Sequence, residues 1–219
     1  MNNDQRYWYV YGAGGFGMET MDIVLDFLKF NDFLEIQPVF VEDNTTRTSL
    51  MELPVIDLSG CVPGSWVTIA VGEPKIRDAL KDKATSRGLL LKAVVSPSAV
   101  VSASAEIGDG AIIAPMCSLQ ANSKVGANVA VNTMAIIGHD VCVDDGAVIS
   151  SMVNLGGATH VGRRAYIGMG ALVKECVTIG ERAIISMGAV VFRDVPEGVI
   201  AVGNPARVSK RNENEKVFS

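Results

Sequence analysis

The sequence is short of the residues that several classes of protein need. Aromatic residues make up only 6% of the 219 residues, there are two histidines, and the four cysteines form no C-x-x-C pair. A disulfide framework is therefore not expected, and a catalytic zinc held by three histidines of one chain is excluded. No apolar run approaches the roughly 20 residues of a membrane span. We expect a chain with reduced thiols, no metal and no membrane span.

The net charge and the N-terminal residues indicate which partners and which compartment to expect. The formal net charge is −5, whereas a general nucleic-acid binder would usually be basic. Residues 1–6 are polar and carry no apolar signal core, so we expect a cytoplasmic protein that does not bind nucleic acid. The apolar residues are mostly small and aliphatic, and with 22 glycines they favour tightly turned β structure over a helical bundle.

Residues 1–92 alternate between β-prone runs and helical stretches. The predicted strands are residues 7–11, 37–41 and 67–71, and the predicted helices are residues 18–30 and 74–86. A further apolar run covers residues 89–95. Such alternation predicts a parallel sheet with crossover helices.

A six-residue repeat occupies the rest of the chain. Every sixth residue from Val95 to Val191 is Val, Ile or Leu, and a small residue most often follows four positions later. This period predicts a solenoid of very short strands, in which aliphatic side chains stack inward and small ones fill the corners. We therefore divide the chain into an α/β domain of residues 1–92 and a repeat domain of residues 93–219.

A glycine-rich stretch lies between the first predicted strand and helix. Residues 12–17 satisfy G-x-G-x-x-G, and the N-terminus of a helix favours a phosphate. An acidic pair, Glu42 and Asp43, follows the second strand, the usual place for a ribose contact. Because the α/β part ends near residue 92, we expect a half-Rossmann-like domain sized for one nucleotide, which argues against a nicotinamide oxidoreductase. A structural glycine turn without a ligand is the alternative.

The hexads, the glycine-rich α/β domain and the ending Val202-Gly203-Asn204-Pro205-Ala206-Arg207 resemble the left-handed β-helix acyltransferases. The subfamily that the chain resembles comprises the sialic acid O-acetyltransferases and the bacillosamine-type amino-sugar N-acetyltransferases. The resemblance covers almost the whole chain. It implies a left-handed parallel β-helix, a homotrimer with active sites between subunits, and acetyl-CoA or another acyl-CoA as co-substrate. It also implies that the α/β domain binds a nucleotide-linked amino sugar, with UDP or dTDP as the nucleotide.

The stretch around His139 carries the expected chemistry. Ile137 is an inward residue of the repeat, so His139 is expected at an outer turn, with Asp140 beside it. An imidazole suits the removal of a proton from an amine that attacks a thioester. The resemblance implies that His139 is the general base, and we assign Asp140 to orient it. A surface histidine in a turn is the alternative.

The resemblance implies further contacts to both substrates. Gly157 lies one 18-residue coil after His139, and its N–H would stabilise the developing oxyanion. The other expected acyl-CoA contacts are Asn132, Met169 and Met187. The expected nucleotide-sugar contacts are Gly12, Ala13, Gly14, Gly15, Glu42, Asp43 and Gly72. The basic residues considered for the CoA phosphates are Arg163, Arg164, Lys174, Arg207, Lys210 and Arg211.

The predicted function is acyl-CoA-dependent N-acylation of a nucleotide-linked amino sugar for surface glycan biosynthesis. Val148 and Phe16 depart from the subfamily, which often has histidine at both positions. O-acetylation of sialic acid or a related sugar would use the same residues. A catalytically inactive scaffold that binds a sugar nucleotide is an alternative of another class. A hexapeptide-repeat carbonic anhydrase would need more histidines than this chain has.

Overall fold

The computed structural model describes residues 7–33 and 35–218, so the polar residues 1–6 lie outside the described part. The first half is a six-stranded sheet in the order β3-β4-β2-β1-β5-β6, parallel except for the antiparallel pair β3 and β4. Its strands are β1 Tyr7–Tyr11, β2 Gln37–Val41, β3 Ser49–Leu50, β4 Leu53–Ile56, β5 Trp66–Ile69 and β6 Leu90–Leu91. The helices are α1 Gly15–Phe30 and α2 Pro74–Ser86, with a short 3₁₀ turn at Leu58–Gly60.

The central strand β1 pairs with β2 on one side and with β5 on the other. The chain thus leaves β1 for one side of the sheet and later crosses to the other. In open α/β sheets ligands bind at the carboxyl ends of the strands where the order reverses in this way. Such a crevice is therefore expected beyond Tyr11 and Ile69.

The elements differ from the sequence predictions mainly at their ends. Helix α1 begins at Gly15 rather than at residue 18, because the backbone of Gly14 is extended and serves as its N-cap. The apolar run of residues 89–95 is divided between β6 and the first solenoid strand. The β3–β4 hairpin was not predicted. It turns at Met51 and Glu52, both of which have positive φ.

From Val94 the chain forms a solenoid of two-residue strands on three faces, with 18 residues per coil. Face 1 comprises Val94–Val95, Ile112–Ile113, Ala130–Val131, Val148–Ile149, Tyr166–Ile167 and Ile184–Ile185, extended by Val199–Val202 and Arg207–Arg211. Face 2 comprises Val100–Val101, Ser118–Leu119, Ile136–Ile137, Asn154–Leu155, Leu172–Val173 and Val190–Val191. Face 3 comprises Glu106–Ile107, Lys124–Val125, Cys142–Val143, His160–Val161 and Thr178–Ile179. The predicted solenoid is confirmed.

The solenoid core consists of the stacked aliphatic residues of the hexads. On face 1, for example, Ile113, Val131 and Ile149 are completely buried and lie one coil apart. The small residue of each hexad, such as Ala135 or Ala147, is also buried, because it fills an inner corner where a larger side chain would not fit. Each coil is thus stabilised by its neighbours rather than by itself.

A buried arginine joins the two halves. Arg77 of α2 is completely buried and donates hydrogen bonds to the backbone oxygens of Ile69 and Val71 and to the backbone and side-chain oxygens of Asn128. Asn128 lies at the solenoid corner between faces 3 and 1. Within the residues described, neither helix has the length and hydrophobicity that crossing a membrane would require.

Candidate functional site

The corner between faces 2 and 3 carries the imidazole predicted to be the base. His139 and Asp140 follow the strand Ile136–Ile137, and their side chains are 64% and 52% exposed. Nδ1 of His139 lies 2.8 Å from Oδ2 of Asp140, and the Asn122 amide donates to Oδ1 of the same carboxylate at 3.2 Å. Asp140 adopts the left-handed conformation with φ 59°. The sequence neighbours therefore point to the same place.

The hydrogen bonds of Asp140 indicate which ring nitrogen of His139 faces it with a proton. The bond from His139, and then the bond from Asn122, lower the pKa of Asp140 below its usual value, so this carboxylate is ionised near neutral pH. An ionised carboxylate only accepts hydrogen bonds, so Nδ1 of His139 carries the proton. In the neutral form of the ring Nε2 is the accepting nitrogen, and it forms no hydrogen bond within the described residues. A ring held in this tautomer can accept a proton at Nε2.

Gly157 lies directly against this ring. A Cβ at residue 157 would overlap Nε2 of His139 and would lie 2.5 Å from Cε1 and 3.0 Å from Cδ2. The backbone between the two coils is held by the hydrogen bond from the Ala158 N–H to the His139 carbonyl, 2.8 Å. The Gly157 N–H donates no hydrogen bond in the described part of the chain. As far as the structure describes the chain, this corner thus combines an imidazole nitrogen and a backbone N–H that have no hydrogen-bond partner.

The other expected acyl-CoA residues lie on a different corner. Asn132, Met169 and Met187 belong to the corners between faces 1 and 2, so the structure of one chain does not bring them together with His139. Met169 and Met187 are exposed. Asn132 lines a cavity of about 240 Å³ between the solenoid and α1. Its side-chain oxygen is inaccessible to solvent and has no hydrogen-bond partner among the described residues.

The crevice at the end of β1 contains every residue predicted to contact the nucleotide sugar. It has a volume of about 450 Å³ and is formed by three segments that follow β1, β2 and β5, together with Leu80 of α2. The predicted residues that line it are Gly12, Ala13, Gly14, Gly15, Glu42, Asp43 and Gly72. Phe16, where the subfamily often has histidine, lines it too.

The glycines of this crevice are required by close packing. A Cβ on Gly12 would lie 2.5 Å from the Ala70 carbonyl oxygen, and one on Gly17 would overlap the Gly12 carbonyl. Gly12 also has φ 127°, a conformation that side chains rarely adopt. Within the described residues no side chain caps the N-terminus of α1 at Gly14, and the first residues of the helix line the crevice with N–H groups that have no acceptor within the helix. This terminus is suited to an anion.

The two acidic residues beside the crevice, Glu42 and Asp43, differ in their contacts. Oδ2 of Asp43 accepts a hydrogen bond from the Tyr11 hydroxyl at 2.7 Å and forms an ion pair with Lys83. Burial, and then the bond to Asp43, raise the pKa of Tyr11. The Glu42 carboxylate has no hydrogen bond or ion pair within the described residues. Glu42 is therefore the acidic group that remains available to a ligand.

Three of the six basic residues considered for the CoA phosphates lie beside carboxylates of this chain. Arg163 pairs with Asp78, and Arg164 pairs with Glu181 and Glu215. Lys174 lies 3.9 Å from the Glu175 carboxylate. Arg207, Lys210 and Arg211 form no ion pair within the described residues and lie on the exposed last strand of face 1.

Sequence reasoning missed two groups that shape the crevice. One is Arg77, whose bonds to Ile69 and Val71 fix the segment that leads to Gly72. The available signal was its spacing: Arg77 follows Pro74 by three residues and so lies on the same, buried side of α2. The other is Glu73, which accepts the backbone N–H groups of Val217 and Phe218 and so ties the C-terminal segment to the rim. No sequence pattern predicts a contact across so many residues.

Comparisons with known proteins agree with this architecture. The family described as "Bacterial transferase hexapeptide (six repeats)" matches residues 158–193. The chain is 30% identical over 212 residues to a GDP-perosamine N-acetyltransferase of Escherichia coli O157:H7, covering 93% of this chain and 96% of that protein.

Two solved structures are similar over nearly the whole chain. The acetyltransferase domain of PglB from Neisseria gonorrhoeae, in complex with acetyl coenzyme A, is 32% identical with a TM-score of 0.86, covering 94% of this chain and 100% of that one. PerB from Caulobacter crescentus, in complex with CoA and GDP-perosamine, is 29% identical with a TM-score of 0.82, covering 92% and 96%.

Proposed function

Because this chain belongs to the CoA-dependent sugar N-acetyltransferases of the left-handed β-helix type, we propose that it acetylates the amine of a nucleotide-linked amino sugar with His139 as general base. The family membership confirms the expected enzyme class and the left-handed hexapeptide fold. One observation carries the proposal of the base. Nε2 of His139 has no protein partner among the described residues and lies against Gly157, while Nδ1 is held by the Asp140 carboxylate.

The proposed reaction is a direct transfer. The amine nitrogen of the sugar attacks the thioester carbonyl of acetyl-CoA, and Nε2 of His139 takes the proton that this nitrogen loses. The C–S bond then breaks, and the imidazolium returns the proton to the leaving CoA sulfur. Asp140 stabilises the imidazolium during this exchange, as the carboxylate does in a hydrolase triad. The Gly157 N–H donates a hydrogen bond to the oxyanion that forms on the carbonyl oxygen.

We assign the nucleotide to the crevice of residues 1–92. The first N–H groups of α1 would bind the diphosphate, and Glu42 would accept hydrogen bonds from the ribose hydroxyls, because Asp43 is already bound to Tyr11 and Lys83. The similar Caulobacter protein was solved with GDP-perosamine. GDP therefore joins UDP and dTDP as a nucleotide to test.

We further propose that residues 93–219 bind acyl-CoA between copies of the chain in a homotrimer. The support is the position of the expected contacts: His139 and Gly157 lie on one corner of face 2, whereas Met169 and Met187 lie on the other. A ligand that touches both sets would have to lie between two neighbouring solenoids.

The experiment that tests the proposal measures CoA thiol release from acetyl-CoA. The acceptors are GDP-, UDP- and dTDP-linked 4-amino sugars and free sialic acid, each tested with the wild-type chain and with His139→Ala. We expect release with one of the amino sugars. In His139→Ala we expect a loss of about 10²–10⁴-fold, the usual contribution of a general base, with the affinity for the nucleotide sugar unchanged in calorimetry.

Each other outcome rejects a defined part of the proposal. Unchanged turnover in His139→Ala would reject the base. Release with sialic acid alone would replace N-acetylation by O-acetylation. Binding of a nucleotide sugar without release from acetyl-CoA or a longer acyl-CoA would favour the scaffold.

A further inference from the structure

A cysteine, an aspartate and the second histidine come together on the outer side of face 3. Cys142 and Asp144 are two residues apart on one coil, with the inward Val143 between them, so both side chains point outward. His160 is the register partner of Cys142 on the next coil. Nε2 of His160 lies 2.9 Å from Oδ2 of Asp144, and Sγ of Cys142 lies 3.8 Å from Oδ1. One donor atom from each residue lies within 4.8 Å of the other two.

These three atoms match the ligands that zinc takes in proteins. Zinc is bound by cysteine sulfur at about 2.3 Å and by histidine nitrogen and carboxylate oxygen at about 2.0–2.2 Å. In a tetrahedral site these bond lengths place the ligand atoms roughly 3.4–3.6 Å apart. The Asp144 oxygens lie 2.9 Å from His160 Nε2 and 3.8 Å from Cys142 Sγ, so small side-chain rotations would bring the three ligands to these distances. Three protein ligands with one open position are a usual zinc arrangement. A hard cation such as Mg²⁺ prefers oxygen ligands and would not use the sulfur.

The scaffold and the charges around the cluster favour a cation. Cys142 and His160 lie on hydrogen-bonded strands of face 3, so the spacing of their backbones is fixed. Lys124, the register partner of Cys142 on the preceding coil, carries a positive charge that would repel a bound cation. Its ammonium is paired with Glu106 at 3.0 Å, so part of its charge is compensated.

We propose that Cys142, Asp144 and His160 form a binding site for a thiophilic divalent cation, Zn²⁺, with its fourth position open to water. From the sequence we expected no metal, because the chain lacks three histidines. A mixed site needs only one histidine, which the fold places over Cys142. A metal bound here would join two successive coils, through His160 on one and Cys142, three residues after His139, on the other. The reaction proposed above assigns it no step.

The test is a cobalt titration of the untagged, metal-free, reduced full-length chain. We expect saturable binding of one Co²⁺ per chain, a thiolate-to-cobalt charge-transfer band in the near ultraviolet, and displacement of this band by Zn²⁺. Cys142→Ser should abolish the band. His160→Ala should weaken binding by at least about 10–100-fold, because loss of a direct ligand costs no less than loss of an outer partner.

The matched control is Cys176→Ser, which removes the exposed cysteine outside the cluster and should leave both the band and the affinity unchanged. The proposal is overturned if the wild-type chain shows no saturable cobalt binding, or if the band persists in Cys142→Ser. Because the readout is spectroscopic, this result is independent of whether the chain transfers an acetyl group.

Discussion

At the scale of single residues, the fit between His139 and Gly157 is the most demanding feature of the candidate site. The same corner position is occupied by Ala121 two coils before Gly157, by His139 one coil before it and by Glu175 one coil after it, so the solenoid itself accepts a side chain there. Only at residue 157 would a Cβ collide with the imidazole. The glycine is therefore explained by the histidine rather than by the turn.

Gly157→Ala should lower kcat by about 10²-fold, because the added methyl displaces the imidazole from the position set by Asp140. The affinity for the nucleotide sugar should not change, since the crevice lies in the other half of the chain. Steady-state kinetics of CoA release and calorimetry would check both. Gly60→Ala is the matched control, because its Cβ would make only an ordinary contact with Ile56 at 3.7 Å. A wild-type kcat in Gly157→Ala would contradict the proposed geometry.

At the scale of elements, α2 is fixed to the sheet and to the solenoid through one side chain. Arg77 donates to three backbone carbonyls and to the Asn128 amide oxygen, and no carboxylate compensates its charge among the described residues. Burial lowers the pKa of Arg77 to about 9, so the guanidinium stays charged at neutral pH. Its five donors match this set of oxygens, which a lysine could not satisfy in the same way.

Arg77→Met should reduce the free energy of unfolding by about 3 kcal/mol or more, because several buried carbonyls lose their donor. Urea unfolding followed by circular dichroism measures this change. Arg87→Met is the control: Arg87 bonds to the exposed Ser59 carbonyl, and its loss should cost about 1 kcal/mol or less. Equal destabilisation by the two substitutions would contradict the structural role given to Arg77.

At the scale of the whole molecule, contacts between distant segments connect the two halves. The C-terminal segment returns from the end of the solenoid, and the Glu73 carboxylate accepts the N–H groups of Val217 and Phe218. The Phe218 ring packs edge-on against Tyr166 at 5.6 Å and lies over Gly72 at the rim of the crevice. Residues from both ends of the chain thus border the proposed nucleotide site.

The proposed trimer makes a prediction at this scale. His139→Ala and Met187→Glu should each be inactive, because each damages one side of an active site between subunits. Dissociated and reassembled together in equal amounts, they should regain about one quarter of wild-type activity, the fraction of sites with both sides intact. A mass near three times 23.2 kDa by sedimentation should accompany this. A mixture that stays inactive in reassembled oligomers would contradict a shared site.

Much of this architecture follows from local sequence patterns. An unbroken period of six, with aliphatic residues from Val95 to Val191, can bury its apolar side chains only if successive coils stack, so the solenoid and its inward columns are predictable from the sequence. The nucleotide crevice is predictable for a similar reason. Glycines after one strand and acidic residues after the next meet wherever parallel strands end at one edge.

The remaining features depend on contacts between residues far apart in the chain. The bond from Arg77 to Asn128 spans 51 residues, and that from Val217 to Glu73 spans 144. Adjacent coils also decide which outward-facing groups meet. They place His139 where a Cβ at residue 157 would be, and they bring Cys142, Asp144 and His160 together. The sequence by itself determined the repeat and the positions of the nucleotide crevice and of the corner that carries His139. Only the tertiary structure decided which polar groups meet, because hydrogen-bond geometry depends on three-dimensional packing and leaves no period in the sequence.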